Sequence, residues 1–274
     1  MSIKTLLYAI LLHVVLLTGG AGQAVAEQEF INSLGMHMVL VRPSKFVSGN
    51  IMDRSNWQWY EAIHERPRWV ELSEPFYLCA HEVTNAQYRK YKPLHDSKKA
   101  EEGFSLNGDD QPVIEVTYYN CVAYCSWLNS TMARDQFLPD GYEFRLPTKR
   151  EWQTIATTGI DRRYPWGNEW PPENGNYANQ EVFPEDWDLA GYADKFAVTC
   201  DVKDSGKNAW DLFGLSGNVW EWTSDEREGR RGVFGGAWTS LMKPLLVVEP
   251  AGFNYAEVNE PFDNIGFRIV LAPK

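Results

Sequence analysis

Short apolar runs separated by turn residues dominate this chain, and they predict short elements rather than long amphipathic helices. Met36–Val41, Trp69–Leu72, Phe76–Val83 and Phe267–Leu271 have the length and side chains of strands. Three junctions carry helix starts. Thr84, with Gln87 three residues on, opens Asn85–Tyr91, and Thr148, with Glu151 behind Pro147, opens Lys149–Thr157. Thr117 opens a third helix, in which Tyr118, Cys121, Val122, Cys125 and Leu128 share one stripe at helical spacing and so form its buried face. The stretch from Asp161 to Asn218 is mostly turn residues interleaved with Trp and Tyr and predicts little regular structure. With no linker, long charge run or constant-period repeat, residues 27–274 read as one α+β domain rich in loops.

The N-terminal apolar run has a different meaning. Lys4 precedes Leu6–Leu17, after which small residues end in Ala24-Val25-Ala26, the layout of a secretory signal peptide over residues 1–26. The run is short for a bilayer crossing of about 20 residues, so an exported protein with no stable membrane span is expected after cleavage.

Composition narrows the classes further. Lys and Arg number 26 against 37 Asp and Glu, and a formal charge of -11 repels nucleic-acid backbones and anionic lipids alike. Twelve Trp, 13 Tyr and 13 Phe stand beside 21 Gly and 15 Pro, which suits loops pinned by flat side chains rather than a helical bundle. The four cysteines, Cys79, Cys121, Cys125 and Cys200, are too few to form a framework for a chain of 274 residues. Cys121 and Cys125 stand on successive helical turns and bridge poorly. Buried packing and a bond to Cys79 or Cys200 are both open to them, whereas zinc-site spacing is missing.

Familiar catalytic signatures are approached and then broken. His64-Glu65 and His81-Glu82 each begin a metalloprotease helix motif, but Arg68 and Asn85 stand where the second His belongs. Gly214-Leu215-Ser216-Gly217-Asn218 falls short of a nucleophile elbow, so Ser216 reads as a turn residue.

An ordered series of segments is far more specific. It runs Phe46-Val47-Ser48-Gly49, Glu65-Arg66-Pro67, Glu82-Val83-Thr84-Asn85, Arg145-Leu146-Pro147-Thr148 with Glu151-Trp152, and Pro165-Trp166-Gly167-Asn168. Asn176-Tyr177-Ala178-Asn179, Gly217-Asn218-Val219-Trp220-Glu221-Trp222, Gly235-Gly236-Ala237-Trp238 and Ile265-Gly266-Phe267-Arg268 follow in register. The chain thereby resembles the formylglycine-generating enzymes, also called sulfatase-modifying factors. That resemblance implies a C-type-lectin-like fold with low regular secondary structure. Within these segments Trp166, Trp220, Trp222 and Trp238 read as loop anchors, with ligand stacking as the other reading, and Arg268 in an apolar run requires a buried carboxylate.

Catalytic members oxidise a sulfatase cysteine to formylglycine with oxygen, and the resemblance places two copper-binding cysteines shortly after Gly-Gly-x-Trp. Here Ser240 and Leu245 occupy those positions, and neither a hydroxyl nor an isobutyl group replaces a thiolate on Cu(I), so copper is not expected. Cys125 matches a family disulfide cysteine whose partner position holds Ile269. Calcium is expected. The resemblance makes Asn179 and Asp194 side-chain ligands and Gln180 and Phe196 carbonyl donors of one all-oxygen site. A second, weaker site takes Gly217, Val219 and Glu221, with Gly214 where the family has Asn or Asp, so a lost oxygen weakens it or admits water.

Two functions remain. One is an exported, non-catalytic family member that binds a protein or glycan through the segment from Trp238 to Asn264, whose Pro244–Val248, Phe253, Tyr255 and Phe262 are more apolar than a solvated loop needs. The other is an enzyme, either a formylglycine-generating oxidase with displaced ligands or another oxidative catalyst on the same scaffold.

Overall fold

The computed structural model describes residues 28–48, 68–101, 103–132, 138–160, 165–167, 174–177, 194–240 and 253–274. A five-stranded antiparallel sheet organises them. Its strands are β1 (Glu29–Ile31), β2 (His37–Val41), β5 (Phe76–Cys79), β11 (Val270–Pro273) and β6 (Tyr142–Arg145), in that spatial order. The last strand of the chain thus lies between β5 and β6 and joins its two ends in one sheet. A second sheet is ordered β10 (Ile265–Gly266), β7 (Trp220–Arg227), β8 (Arg230–Phe234) and β9 (Phe253–Ala256), and β3 (Ser44–Ser48) pairs with β4 (Arg68–Leu72) in a ribbon.

All three helices start where the sequence places them, each on a complete capping box. They are α1 (Asn85–Arg89) behind Thr84, α2 (Tyr118–Thr131) behind Thr117 and α3 (Lys149–Thr157) behind Thr148. Helix α1 ends two residues before the expected Tyr91. The predicted face of α2 needs one correction: Tyr118, Cys121, Cys125 and Leu128 are buried, but Val122 is 42% exposed and Tyr124 is buried in its place. At about 100° per residue Val122 and Tyr124 lie roughly equally far, on opposite sides, from the middle of the stripe formed by the other four, so the wheel does not decide between them.

Strand β5 is apolar throughout because both faces of the central sheet are covered. Tyr77 and Cys79 point into a cluster with Met38, Cys121, Tyr124, Cys125, Phe267 and Leu271, while Phe76 and Leu78 join Trp152, Ile155, Phe234 and Val270 on the other face. The predicted strand Phe76–Val83 is cut at Cys79, and of the predicted Phe267–Leu271 only Val270 and Leu271 are strand, in β11, while Phe267–Ile269 form an irregular link from β10. Residues 80–83 still run beside that link: Val83 N–H donates to Phe267 O at 2.9 Å and Cys79 N–H to Ile269 O at 3.0 Å. The ladder stops there because Glu82 turns inward to polar partners 136 residues away in sequence.

All four cysteines are free and buried, which decides for packing over bridging. Cys125 and Ile269 lie in the same apolar cluster, so the position that would have carried a bridge is an ordinary core contact. Burial pushes the thiols up, Cys79 to about 11 and Cys125 to about 12, and keeps them protonated.

Candidate functional site

The polar centre of the molecule is assembled from six separate stretches of chain, around Glu82, Trp152, Asn176, Cys200, Phe213–Glu221 and Arg268. Arg268, on the link between β10 and β11, is fully buried and donates through Nε to Glu221 Oε2 at 2.6 Å and through Nη2 to Glu221 Oε1. Its Nη2 also donates to Phe213 O at 2.7 Å. Burial works against the guanidinium charge, and the Glu221 carboxylate more than restores it. This is the partner the sequence required, in the fork geometry that arginine offers a carboxylate. Glu221, on β7, accepts a third bond from Trp152 Nε1 of α3 at 2.7 Å. Trp152 stacks on Phe234 with ring centroids 5.4 Å apart, which holds its indole in place.

Glu82 lies beside this pair. Its Oε1 accepts from Asn218 Nδ2 at 3.0 Å, while Oε2 is buried without a hydrogen-bond partner. Burial pushes its carboxyl up to about 7, opposed by Arg268 and reinforced by Glu221. Asn218 continues the chain: its Oδ1 accepts from Cys200 N–H at 3.0 Å and from Asn176 Nδ2 at 3.1 Å. The turn that presents Asn218 depends on glycine. Gly214 and Gly217 have φ of +67° and +81°, and a Cβ on Gly217 would collide with the Asn176 carbonyl. A Cβ on Gly214 would collide with the Glu82 carboxylate group, so the space left by the missing side chain is filled by Glu82. Ser216 is a turn residue here, its carbonyl accepting from Asn176 N–H at 3.2 Å.

The segment after β8 forms a second locus. Gly235 and Gly236, with φ of +103° and +79°, lead into Trp238, which is buried and donates through Nε1 to Asp263 O at 3.2 Å. Ser240 closes a local turn: its hydroxyl accepts from Ala237 N–H at 2.9 Å, and its own N–H donates to Ala237 O at 2.8 Å. Asn264 Nδ2 donates to Thr239 Oγ1 at 2.8 Å and joins the two ends of the segment. Leu245 and the run Pro244–Val248 lie outside the described residues. Trp222 is buried like Trp238, whereas Trp220 and Trp166 are half-buried, so all four are anchored to different degrees.

Asp194 is a loop clamp. Its Oδ2 accepts from Tyr177 N–H at 2.7 Å and its Oδ1 from Phe196 N–H at 2.9 Å. This brings Asp194 and Phe196 next to the strand of chain that leads to Asn179 and Gln180, which themselves lie outside the described residues.

These loci sit on a scaffold with relatives. A family model described as the sulfatase-modifying factor enzyme 1-like domain matches residues 23–273. The chain belongs to the sulfatase-modifying factor family. It is 29% identical over 206 residues to the formylglycine-generating enzyme of Mus musculus, covering 72% of this chain and 45% of that protein. The formylglycine-generating enzyme of Thermomonospora curvata is 32% identical over 161 residues, 56% of this chain and 45% of its own. A Bos taurus relative named inactive C-alpha-formylglycine-generating enzyme 2 is 34% identical over 117 residues, 42% of this chain and 33% of its own. The chain therefore spans less than half the length of these relatives. Among solved structures, PvdO from Pseudomonas aeruginosa superposes with a TM-score of 0.66 at 18% identity, covering 92% of this chain and all of PvdO. Treponema denticola variable protein 1 gives 0.67 at 17% identity over 89% of this chain and 98% of its own. At that identity the two establish the fold alone, a C-type-lectin-like α+β fold with low regular secondary structure.

Ser240 carries no soft donor of the kind Cu(I) selects. The residue is a hard hydroxyl whose oxygen is already an acceptor within its own turn, and the four thiols of the chain are buried elsewhere with their ionisation suppressed by burial. Sequence reasoning found the need of Arg268 for a buried carboxylate and the cap residues, and it named Glu221 only as a calcium ligand, not as the partner of Arg268. It missed Glu82 as part of the centre, although a carboxylate within the apolar run Phe76–Val83 was the signal available.

Proposed function

We propose that this protein is an exported, non-catalytic member of the sulfatase-modifying factor family that binds a protein or glycan through the segment from Trp238 to Asn264. The observation that carries the reading is Ser240, which stands at a copper-ligand position of the family and spends its hydroxyl on the Ala237 turn. A soft metal that activates oxygen has no thiolate to hold it there. The existence of a relative named as inactive, at 34% identity over 117 residues, supports loss of the chemistry with retention of the scaffold. The bonds from Trp238 to Asp263 and from Asn264 to Thr239 gather both ends of the segment and present it from a fixed base.

Incubation with a sulfatase-type Cys-x-Pro-x-Arg peptide, oxygen, reductant and copper should yield no aldehyde above a Ser240→Ala control. Aldehyde formation, read by mass shift, would replace this reading with the oxidase. Exchange of residues 241–252 for a Gly-Ser linker should abolish retention on a glycan array or a protein ligand and leave the melting temperature within a few degrees. Export rests on Lys4, the Leu6–Leu17 run and Ala24-Val25-Ala26, and among the described residues no helix is long and apolar enough to cross a membrane. Mass spectrometry of the native protein should find Glu27 at its N-terminus, and an intact Met1 would contradict export.

A structural calcium ion at Asn179, Gln180, Asp194 and Phe196 is part of the same proposal. Asp194 offers the donor chemistry for it, a carboxylate that the Tyr177 and Phe196 N–H groups hold in place.

A further inference from the structure

The outer face of the β3–β4 ribbon presents a tryptophan to solvent. Trp69 is 67% exposed, whereas its neighbours Val70 and Leu72 include the buried face of β4, as the alternation of a strand requires. A single exposed indole needs no explanation by itself, but this one is held and stands next to a cleft. Lys45 Nζ lies 5.6 Å from the centroid of the indole, and the same ammonium reaches Glu71 Oε2 at 3.4 Å across the ribbon. Lys45 takes one face of the ring and leaves the other to solvent. Glu71 stands on the same face of β4 two residues on, about 7 Å along the strand, and there it enters a cleft of about 250 Å³.

Glu71, Ser73, Glu74, Arg145, Thr148 and Arg150 give that cleft its polar lining, and the buried side chains of Leu72 and Phe76 lie among them. One wall is rigid. Arg145 donates to both Glu151 oxygens at 2.8 Å and to Leu146 O at 3.1 Å, and Glu151 is fixed in turn by the capping box of α3. Arg150 donates to Glu71 O at 3.4 Å and ties α3 to the ribbon. The carboxylates of Glu71, Glu74 and Glu151 balance the charges of Arg145, Arg150 and Lys45, so neither an anion nor a cation meets a field that favours it. Donors and acceptors interleaved at charge balance suit a ligand whose groups each donate and accept, as a sugar hydroxyl does. The volume is below the roughly 300–1,000 Å³ of a site that encloses a drug-sized ligand, so the cleft takes one ring and the next lies outside it. We propose that the cleft and Trp69 form a binding site for a neutral oligosaccharide, with one sugar ring among Glu74, Arg145 and Arg150 and the next stacked through its C–H face on the open face of the Trp69 indole. Glu71 lies between the two rings, and its solvent-exposed pairing with Lys45 is weak enough for the carboxylate to turn to a hydroxyl.

None of these residues belongs to the segment from Trp238 to Asn264, so the site stands whether or not that segment holds a partner. Titration calorimetry and saturation-transfer NMR on the exported chain test it, with cellotetraose, maltotetraose and chitotetraose as neutral probes and a heparin tetrasaccharide as the anionic comparison. At least one neutral probe should bind, and more tightly than the anionic one. Trp69→Ala should weaken that binding at least tenfold, and Trp69→Phe should restore most of it because a phenyl ring keeps a flat apolar face. Glu74→Gln should weaken it severalfold by exchanging a charged acceptor for a neutral one. Trp69 and Glu74 are exposed, so the melting temperature of all three variants should match that of the parent protein. Exchange of residues 241–252 for a Gly-Ser linker should leave the binding unchanged. No binding of any neutral probe at millimolar concentration, tighter binding of the heparin fragment, unchanged affinity in Trp69→Ala, or loss of binding on the linker exchange would each overturn the proposal.

Discussion

Replacing Arg268 with Met should lower the unfolding free energy by about 3–5 kcal/mol, measured by urea denaturation at neutral pH in the presence of a chelator. The guanidinium is fully buried and its bonds tie the β10–β11 link to β7 and to Phe213. Without it, Glu221 keeps one donor, Trp152, and two buried carboxylates face each other with no cation between them. Lysine at 268 should rescue little, because a single ammonium cannot donate to both Glu221 oxygens and to the Phe213 carbonyl from one plane. The double variant Arg268→Met, Glu221→Gln should be more stable than Arg268→Met alone, since the amide oxygen still accepts from Trp152 and carries no charge. A single-variant loss below about 1 kcal/mol would mean that water reaches the pair and screens it, against the burial observed.

How much of this arrangement the sequence announces depends on the distance over which each decision is made. The helix starts were legible because a capping box is closed within four residues: Thr148 and Glu151 satisfy each other's backbone neighbours without help from the rest of the chain. The end of β5 was not legible, because Glu82 leaves the ladder for Asn218, 136 residues on, and nothing local marks the exchange. Strand β7 escaped for a related reason. Trp220-Glu221-Trp222-Thr223 looks like an aromatic loop until Arg268 neutralises Glu221 and Val233 of β8 pairs with Trp222. Val122 shows the limit of a helical stripe drawn without a partner surface: position on the wheel gave the buried face, but its edge was set by where Tyr124 meets Tyr88 and Phe267.

The candidate sites divide in the same way. The need of Arg268 for a carboxylate followed from one charge in an apolar run, and the identity of that carboxylate did not, since Glu221 lies 47 residues earlier. That Glu82 occupies the side-chain space Gly214 leaves open was invisible, because it is a matter of shape, a carboxylate in the volume of an absent Cβ.

Adjacent residues 81 and 82 should give the protein opposing pH dependences that cancel until one of them is removed. Burial pushes His81 down from 6.5 to about 4 and its neighbour Glu82 up from 4.5 to about 7. For His81 the folded state resists a proton that the unfolded chain accepts, so its contribution is complete above about 6.5 and is lost as pH falls toward 4. For Glu82 the folded state holds a proton that the unfolded chain releases, so its contribution is complete below about 4.5 and is lost as pH rises toward 7. Between pH 4.5 and 6.5 one slope offsets the other, each about 1.4 kcal/mol per pH unit. Glu82→Gln should therefore lose stability relative to the parent protein on acidification across that window, on the order of 2–3 kcal/mol. His81→Asn, whose amide Nδ2 can replace ring Nδ1 as donor to the Glu82 carbonyl, should lose a similar amount on going from pH 4.5 to 6.5. Denaturant midpoints at four pH values decide the matter, and differences that do not change sign between the two variants would show that the pair does not titrate as an opposed couple.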